Sequence, residues 1–151
     1  MHKILLFSLL ILFLQPRLFS AGKESYQLID TSLKVLKQQV LKDILSSTVN
    51  EKETLQLSAE MKEDGSWPDI DYTDKTRGNW PVNNHLVRLN TMALVYRHNG
   101  TKSAGDQELE KKIMTGLNYW LKNDFICPNW WYPQIGVPKV LAPLMLLLED
   151  K

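Results

Sequence analysis

Between Glu24 and Leu45 the apolar residues Ile29, Leu33, Leu36, Val40 and Ile44 follow one another at steps of four, three, four and four, with lysines between them. That spacing is one face of an α-helix. Asn50 followed by Glu53 reads as an N-cap with a carboxylate reaching back, and opens a short second helix carrying Leu55, Leu57 and Met61. In a third helix Leu86, Leu89, Ala93 and Tyr96 form the apolar stripe, and Asn99-Gly100 is its expected stop. Asp106 caps a fourth, in which Leu109, Ile113, Leu117 and either Trp120 or Leu121 recur at helical spacing. A fifth starts at Pro138 and runs through Val140, Leu141, Leu144, Met145 and Leu148, with Pro143 expected to kink it or delay its start.

Two connections interrupt this pattern. EDGSWPDIDYTDKTRGNWP, from Glu63, holds Gly65, Pro68, Gly78 and Pro81 together with several aspartates. Loops this long are functional or disordered, and Trp67, Tyr72 and Trp80 argue against disorder. NWWYPQIGVP, from Asn129, is too rich in Gly and Pro for a buried helix and reads as an aromatic loop. No segment alternates with period two, so the expected class is all-α: about five helices with long aromatic loops. The fifth helix is nearly all apolar and needs neighbours on several sides, which the chain does not supply before Lys151. It reads as the front of a larger helical domain.

The start of the chain changes the assignment of compartment. His2 and Lys3 precede an apolar run from Ile4 to Leu14, shorter than the roughly 20 residues of a spanning helix. Residues 1–21 are expected to be a secretory signal cleaved near Ala21, with residues 22–151 remaining and no stable membrane insertion afterwards. Removal takes Lys3 and Arg17, leaving 16 bases against 17 acids, a net charge of −1. The surface as a whole does not attract polyanions, so nucleic acid is not an expected partner and any acidic polymer must be gripped locally. The single cysteine, Cys127, is expected to be a packing residue.

Chemistry is sparse. His85 and His98 lack metal-ligand spacing, and Asp69, Asp71 and Asp74 lack the glycine and closing glutamate of a calcium loop, so neither metal nor cofactor is expected. No nucleophile has a base nearby in sequence, and no glycine loop could cradle phosphate. The aromatics say more. Trp and Tyr offer rigid apolar faces that suit the C–H face of a pyranose, while Asn amides bond its hydroxyls. Trp67, Trp80 and Trp120 are expected in the core. For Trp130 and Trp131, beside Asn129, core packing and a sugar platform stand level. At Asn83-Asn84-His85 simple N-capping outweighs a helix-terminal anion site to which Arg77 and Arg88 would add charge.

DGSWPDIDYTDKTRGNWPVNNHLVRL, then Tyr119-Trp120, then NWWYPQIGVPKVL resembles the N-terminal region of polysaccharide lyase family eight, the chondroitin AC, hyaluronate and xanthan lyases. The resemblance runs from about Glu24 to the end. It implies part of an incomplete α/α toroid, with further helical and β-sandwich domains downstream, in a secreted or periplasmic bacterial enzyme. It implies that Asn129, Trp130 and Trp131 hold an acidic polysaccharide, a glycosaminoglycan, and leaves Asn84, His85 and Arg88 as possible cleft residues. Family members cleave beside a uronate by β-elimination. Their Asn, His, Tyr and Arg lie later in the chain than Lys151, so no catalytic residue is assigned here. One departure is Tyr132-Pro133-Gln134, where more polar residues are expected. The alternatives are a free-standing carbohydrate-binding module or an inactive truncated product.

Overall fold

The structure of the protein, a computed structural model, describes residues 26–149. The expected signal, residues 1–21, lies outside them. Among the described residues there are five α-helices and no strand: α1 (26–45), α2 (Glu51–Glu60), α3 (Asn84–Arg97), α4 (Gln107–Asn123) and α5 (Val137–Leu148). No helix among them is long and apolar enough to cross a membrane.

Two compact units divide at Val40 and Leu41. In the first, Ile29, Leu33 and Leu36 are exposed along α1, and Asp30 and Lys34 form an ion pair at 2.6 Å. In the second, Leu41, Ile44 and Leu45 at the end of α1 pack against the core.

That core is built around α3, which packs against α2, α4 and α5. Burial on several sides explains why its buried set is wider than one stripe: His85, Met92 and Val95 join Leu86, Leu89, Ala93 and Tyr96. The 3₁₀ turn Pro81–Asn83 leads directly into α3, so Asn83 is helical and its side chain makes no capping bond. The expected asparagine cap is thus replaced by a continuous turn. At the other end α3 stops at Arg97, with His98 extended, before Asn99-Gly100 is reached.

The other caps match the sequence. Asn50 Oδ1 accepts from Glu53 N at 3.2 Å, and Asn50 Nδ2 donates to Glu53 Oε2. Asp106 Oδ1 accepts from Leu109 N at 2.7 Å. On α2, however, Thr54 is buried while Leu55 is exposed, because the helix turns that residue away from α3. On α4 the inward position is Trp120, and Leu121 faces solvent.

Two glycines let the long loop close onto α4. Gly65 has φ +91°, and a Cβ there would lie 2.6 Å from the Thr115 carbonyl oxygen. Gly116 faces Leu89, whose Cδ2 would be 2.7 Å from an added Cβ. Gly65→Ala should therefore cost about 2 kcal/mol or more, since strained φ and a backbone clash combine. Gly78, with nothing within 4 Å of an added Cβ, is the control. Gly78→Ala should stay within about 0.5 kcal/mol of wild type in urea unfolding. Equal effects would contradict the close approach.

Candidate functional site

Tryptophan and tyrosine order the long loop from inside. Trp67, Trp80 and Trp120 are all buried, as their spacing suggests. Trp67 Nε1 donates to the Leu57 carbonyl at 2.9 Å and Trp80 Nε1 to the Asp74 carbonyl at 3.0 Å. Beneath the loop sits His85, fully buried among Trp67, Tyr72, Tyr119 and Trp120.

Its two nitrogens have different partners. Nε2 lies 2.9 Å from the Gly116 carbonyl, which can only accept, so Nε2 carries the proton. Nδ1 then accepts from the Tyr72 hydroxyl at 2.9 Å, and that hydroxyl accepts from Trp67 N at 3.0 Å. A single chain of bonds thus runs from the loop backbone through Tyr72 and His85 to α4. Burial holds the imidazole pKa down to about 4, and Arg88 nearby adds to the effect. Burial likewise pushes the Tyr72 phenol up to about 12. His85 is a neutral structural connector, not a residue on an open cleft.

Arg88 is also committed. Its guanidinium grips Asp69 through two bonds, at 2.7 and 2.5 Å, and lies over the Trp67 ring at 5.4 Å. The hydrogen bond from Arg88 holds the Asp69 carboxyl below its usual range. Asn84 is exposed at the first position of α3. The three possible cleft residues, Asn84, His85 and Arg88, therefore do not converge on one opening.

Asn129, Trp130 and Trp131 do converge. Asn129 Nδ2 donates to the Arg77 carbonyl at 2.6 Å and its Oδ1 accepts from Trp131 N at 3.1 Å. Trp130 is 60% exposed and Trp131 40% exposed, so neither packs in the core of the described residues. Asn129 and Trp130 lie in a turn, but from Trp131 onward the segment is not a loop. Trp131 is helical, a π-helical turn spans Tyr132–Gly136, and α5 follows without a break. Pro133 and Pro138 cannot donate to an ordinary α-helical ladder, and Val137 N instead reaches back five residues to the Tyr132 carbonyl. Pro143 is accommodated inside α5. Met145 on that helix is exposed, while Leu144, Leu147 and Leu148 fill the core.

Tyr132, the residue that departs from the expected polar pattern, anchors this segment. Its hydroxyl accepts from Trp80 N at 2.7 Å, and its ring stands edge-on to both Trp80 and Trp131. The Trp131 ring lies over Gly136, where an added Cβ would be 2.5 Å from it. Further bonds join the same two stretches in parallel register. Lys75 Nζ donates to the Ile126 carbonyl at 3.2 Å, and the buried Cys127 thiol reaches the Thr76 carbonyl at 3.6 Å. Cys127 is a packing residue, as its sequence context suggests.

The loop aspartates serve turns. Asp64 accepts from Ser66, Asp71 from Thr73 and Asp74 from Thr76. Among the described residues no cluster of His, Cys, Asp and Glu could hold a metal.

Residues 20–151 match the polysaccharide lyase family 8, N-terminal alpha-helical domain. The chain belongs to this family. It is 33% identical over 89 residues to chondroitinase-AC of Pedobacter heparinus, an alignment covering 59% of this chain and 13% of that protein. Xanthan lyase of Bacillus sp. strain GL1 is 30% identical over 100 residues, 56% of this chain and 11% of that one. Hyaluronate lyase HylB of Enterococcus faecalis is 30% identical over 82 residues, covering 49% and 8%. A solved chondroitinase AC lyase, studied with oligosaccharides, superposes with a TM-score of 0.69 at 26% identity, over 76% of this chain and 18% of that one. The architecture is that of the N-terminal part of an α/α toroid. The matched stretch of this family-8 chain spans between 8% and 13% of the curated relatives' length.

Several members of the site had no sequence signal. Spacing cannot show that Tyr72 meets His85, or that Arg77 meets Asn129 across 52 positions. The Gly136 pairing with Trp131 at i, i+5 was equally hidden, because a π-turn has no apolar signature.

The buried imidazole of this family-8 domain predicts a pH dependence. His85 titrates near 6.5 when unfolded and near 4 when folded, so its contribution is complete above about pH 6.5 and is lost as pH falls toward 4. The loss approaches about 1.4 kcal/mol per pH unit, and about 3 kcal/mol in all. Urea unfolding of wild type and His85→Phe between pH 7 and 4.5 checks this, above the range where carboxylates dominate. The variant should be less stable at pH 7 but with a flatter pH slope; an unchanged slope would refute the assignment.

Proposed function

We propose that this chain is the N-terminal portion of a secreted bacterial lyase that cleaves uronic-acid-containing glycosaminoglycan by β-elimination, and that its own part is to hold the polysaccharide. The observation that carries this reading is the pair of exposed tryptophans, Trp130 and Trp131, following Asn129, with the Trp131 ring set against Gly136 and Tyr132. Flat aromatic faces gain by covering the C–H face of a pyranose, and a ring already held rigid loses little entropy on doing so. Asn129 has one amide hydrogen committed to Arg77, and its second N–H is the donor available for a sugar hydroxyl. The relatives named as chondroitinase, hyaluronate lyase and xanthan lyase support a polymer of that kind.

Elimination requires removal of a proton beside an ionised carboxylate, with donors that neutralise the charge as it spreads onto that group. The described residues do not assemble such a set: His85 is buried and Arg88 is bound to Asp69. The base and the carboxylate clamp belong to the rest of the lyase, and this domain contributes grip and orientation. A grip that positions the chain raises the rate of the step done elsewhere.

Titration of the protein with a glycosaminoglycan tetrasaccharide, followed by tryptophan fluorescence, tests the reading. Trp130→Ala should weaken binding on the order of tenfold or more, the scale of a truncated aromatic anchor. Its helical circular dichroism should be unchanged, because Trp130 is 60% exposed. Equal affinity in variant and wild type would sink the proposal, and so would unfolding of the variant, which would return Trp130 to the core.

A further inference from the structure

The tryptophan pair explains affinity for a sugar ring but not for its charge. Stacking is indifferent to whether the pyranose is a uronate or a neutral hexose. A formal net charge of only +1 over the whole sequence is too small to make that choice, so a local cation must.

Arg88, Lys75 and Arg77 are the basic residues that belong to the long loop or bond to it through their side chains, while Lys139 lies two residues into α5. Arg88 is neutralised by its paired bonds to Asp69. Lys75 is tied through Nζ to the Ile126 carbonyl. Arg77 is different. It is exposed, and among the described residues it forms no ion pair. Its backbone carbonyl is the atom that holds Asn129 Nδ2 at 2.6 Å, which puts its backbone beside Asn129 and within side-chain reach of the surface that Asn129, Trp130 and Trp131 make up. The nearest acids on the same loop, Asp71 and Asp74, accept bonds from Thr73 and Thr76 within their own turns. Gly78, with open space around it, and Asn79, with φ 51°, follow directly and turn the chain back toward Trp80.

We propose that Arg77 is the specificity-determining cation of this surface: its guanidinium pairs with the carboxylate of the sugar stacked beside Asn129, selecting acidic over neutral polysaccharide. A guanidinium presents a planar fork that matches a carboxylate through two bonds, and at a partly exposed site such a pair adds selectivity more than raw affinity. The proposal rests on the platform reading above.

Arg77→Gln removes the charge and leaves the backbone carbonyl, and so the Asn129 bond, in place. Binding of a uronate-containing tetrasaccharide and of its carboxyl-reduced counterpart is measured by calorimetry, at low and high salt, for wild type, Arg77→Gln, Arg77→Lys and Trp130→Ala. Wild type should prefer the acidic sugar about tenfold, with the preference shrinking in salt. Arg77→Gln should lose that preference while binding the reduced sugar as wild type does, and Arg77→Lys should keep part of it. Equal weakening toward both sugars, or no change toward either, would overturn the role of Arg77 while the Trp130→Ala result continues to report on the platform. Absence of binding by the wild type to either sugar would overturn both.

Discussion

A single buried imidazole joins the parts of this domain that sequence leaves apart. His85 accepts from the Tyr72 hydroxyl on one side and donates to the Gly116 carbonyl on the other, each at 2.9 Å. The Gly116 carbonyl takes the Nε2 proton, which leaves Nδ1 of the neutral ring as acceptor for the Tyr72 hydroxyl, and that hydroxyl in turn accepts from Trp67 N. Burial keeps the ring neutral, outweighing the Gly116 carbonyl, which by itself would favour the charged form. Because Tyr72 belongs to the long loop, His85 to α3 and Gly116 to α4, one ring sets the position of three segments at once. A buried polar chain of this kind is stabilising only when every member is satisfied, and here the members satisfy one another.

Loop order then passes to the aromatic surface. The stretch from Lys75 to Trp80 runs alongside the stretch from Ile126 to Tyr132 through bonds in which a side chain meets a backbone group: Lys75 with Ile126, Cys127 with Thr76, Asn129 with Arg77, and Tyr132 with Trp80. None of these is a strand ladder, and each depends on the loop following one path. The exposed tryptophans are thus held by a surface whose own shape is set from the core outward.

Much of the fold was legible because helical spacing and caps are local. Leu89, Ala93 and Ile113 are buried where the periodicity puts them, and Asn50 and Asp106 cap where their side chains can reach. The misreadings came from forces that spacing does not encode. Leu55 lost its inward place to Thr54 because α2 presents one edge to α3. Asn83 gave up its cap to a 3₁₀ turn begun by Pro81. The partners of His85 and Arg88, Tyr72 and Asp69, were hidden because they are 13 and 19 positions away. The tryptophan pair was legible as a question only. Their exposure among the described residues is a property of the whole fold, which spacing does not encode.

The reading of the NWWYPQIGVP segment as a loop held for Asn129 and Trp130 and failed from Trp131 onward. Proline removes donors from a helix, and a sequence with Pro133 and Pro138 looks unable to form one. The chain instead widens by one residue, closing Val137 N onto the Tyr132 carbonyl. Widening brings Gly136 under the Trp131 ring, a contact that any Cβ would prevent. Tyr132 closes the other side, edge-on at 5.1 Å. A ring held between a glycine and a perpendicular tyrosine has few rotamers left, so a ligand that stacks on it has little side-chain freedom to freeze. A flexible loop could display the same two indoles, but each bound sugar would then have to order them. On the platform reading proposed above, helical anchorage sets the Trp131 ring before any polymer arrives, and an exposed aromatic surface of this kind is what such a site requires.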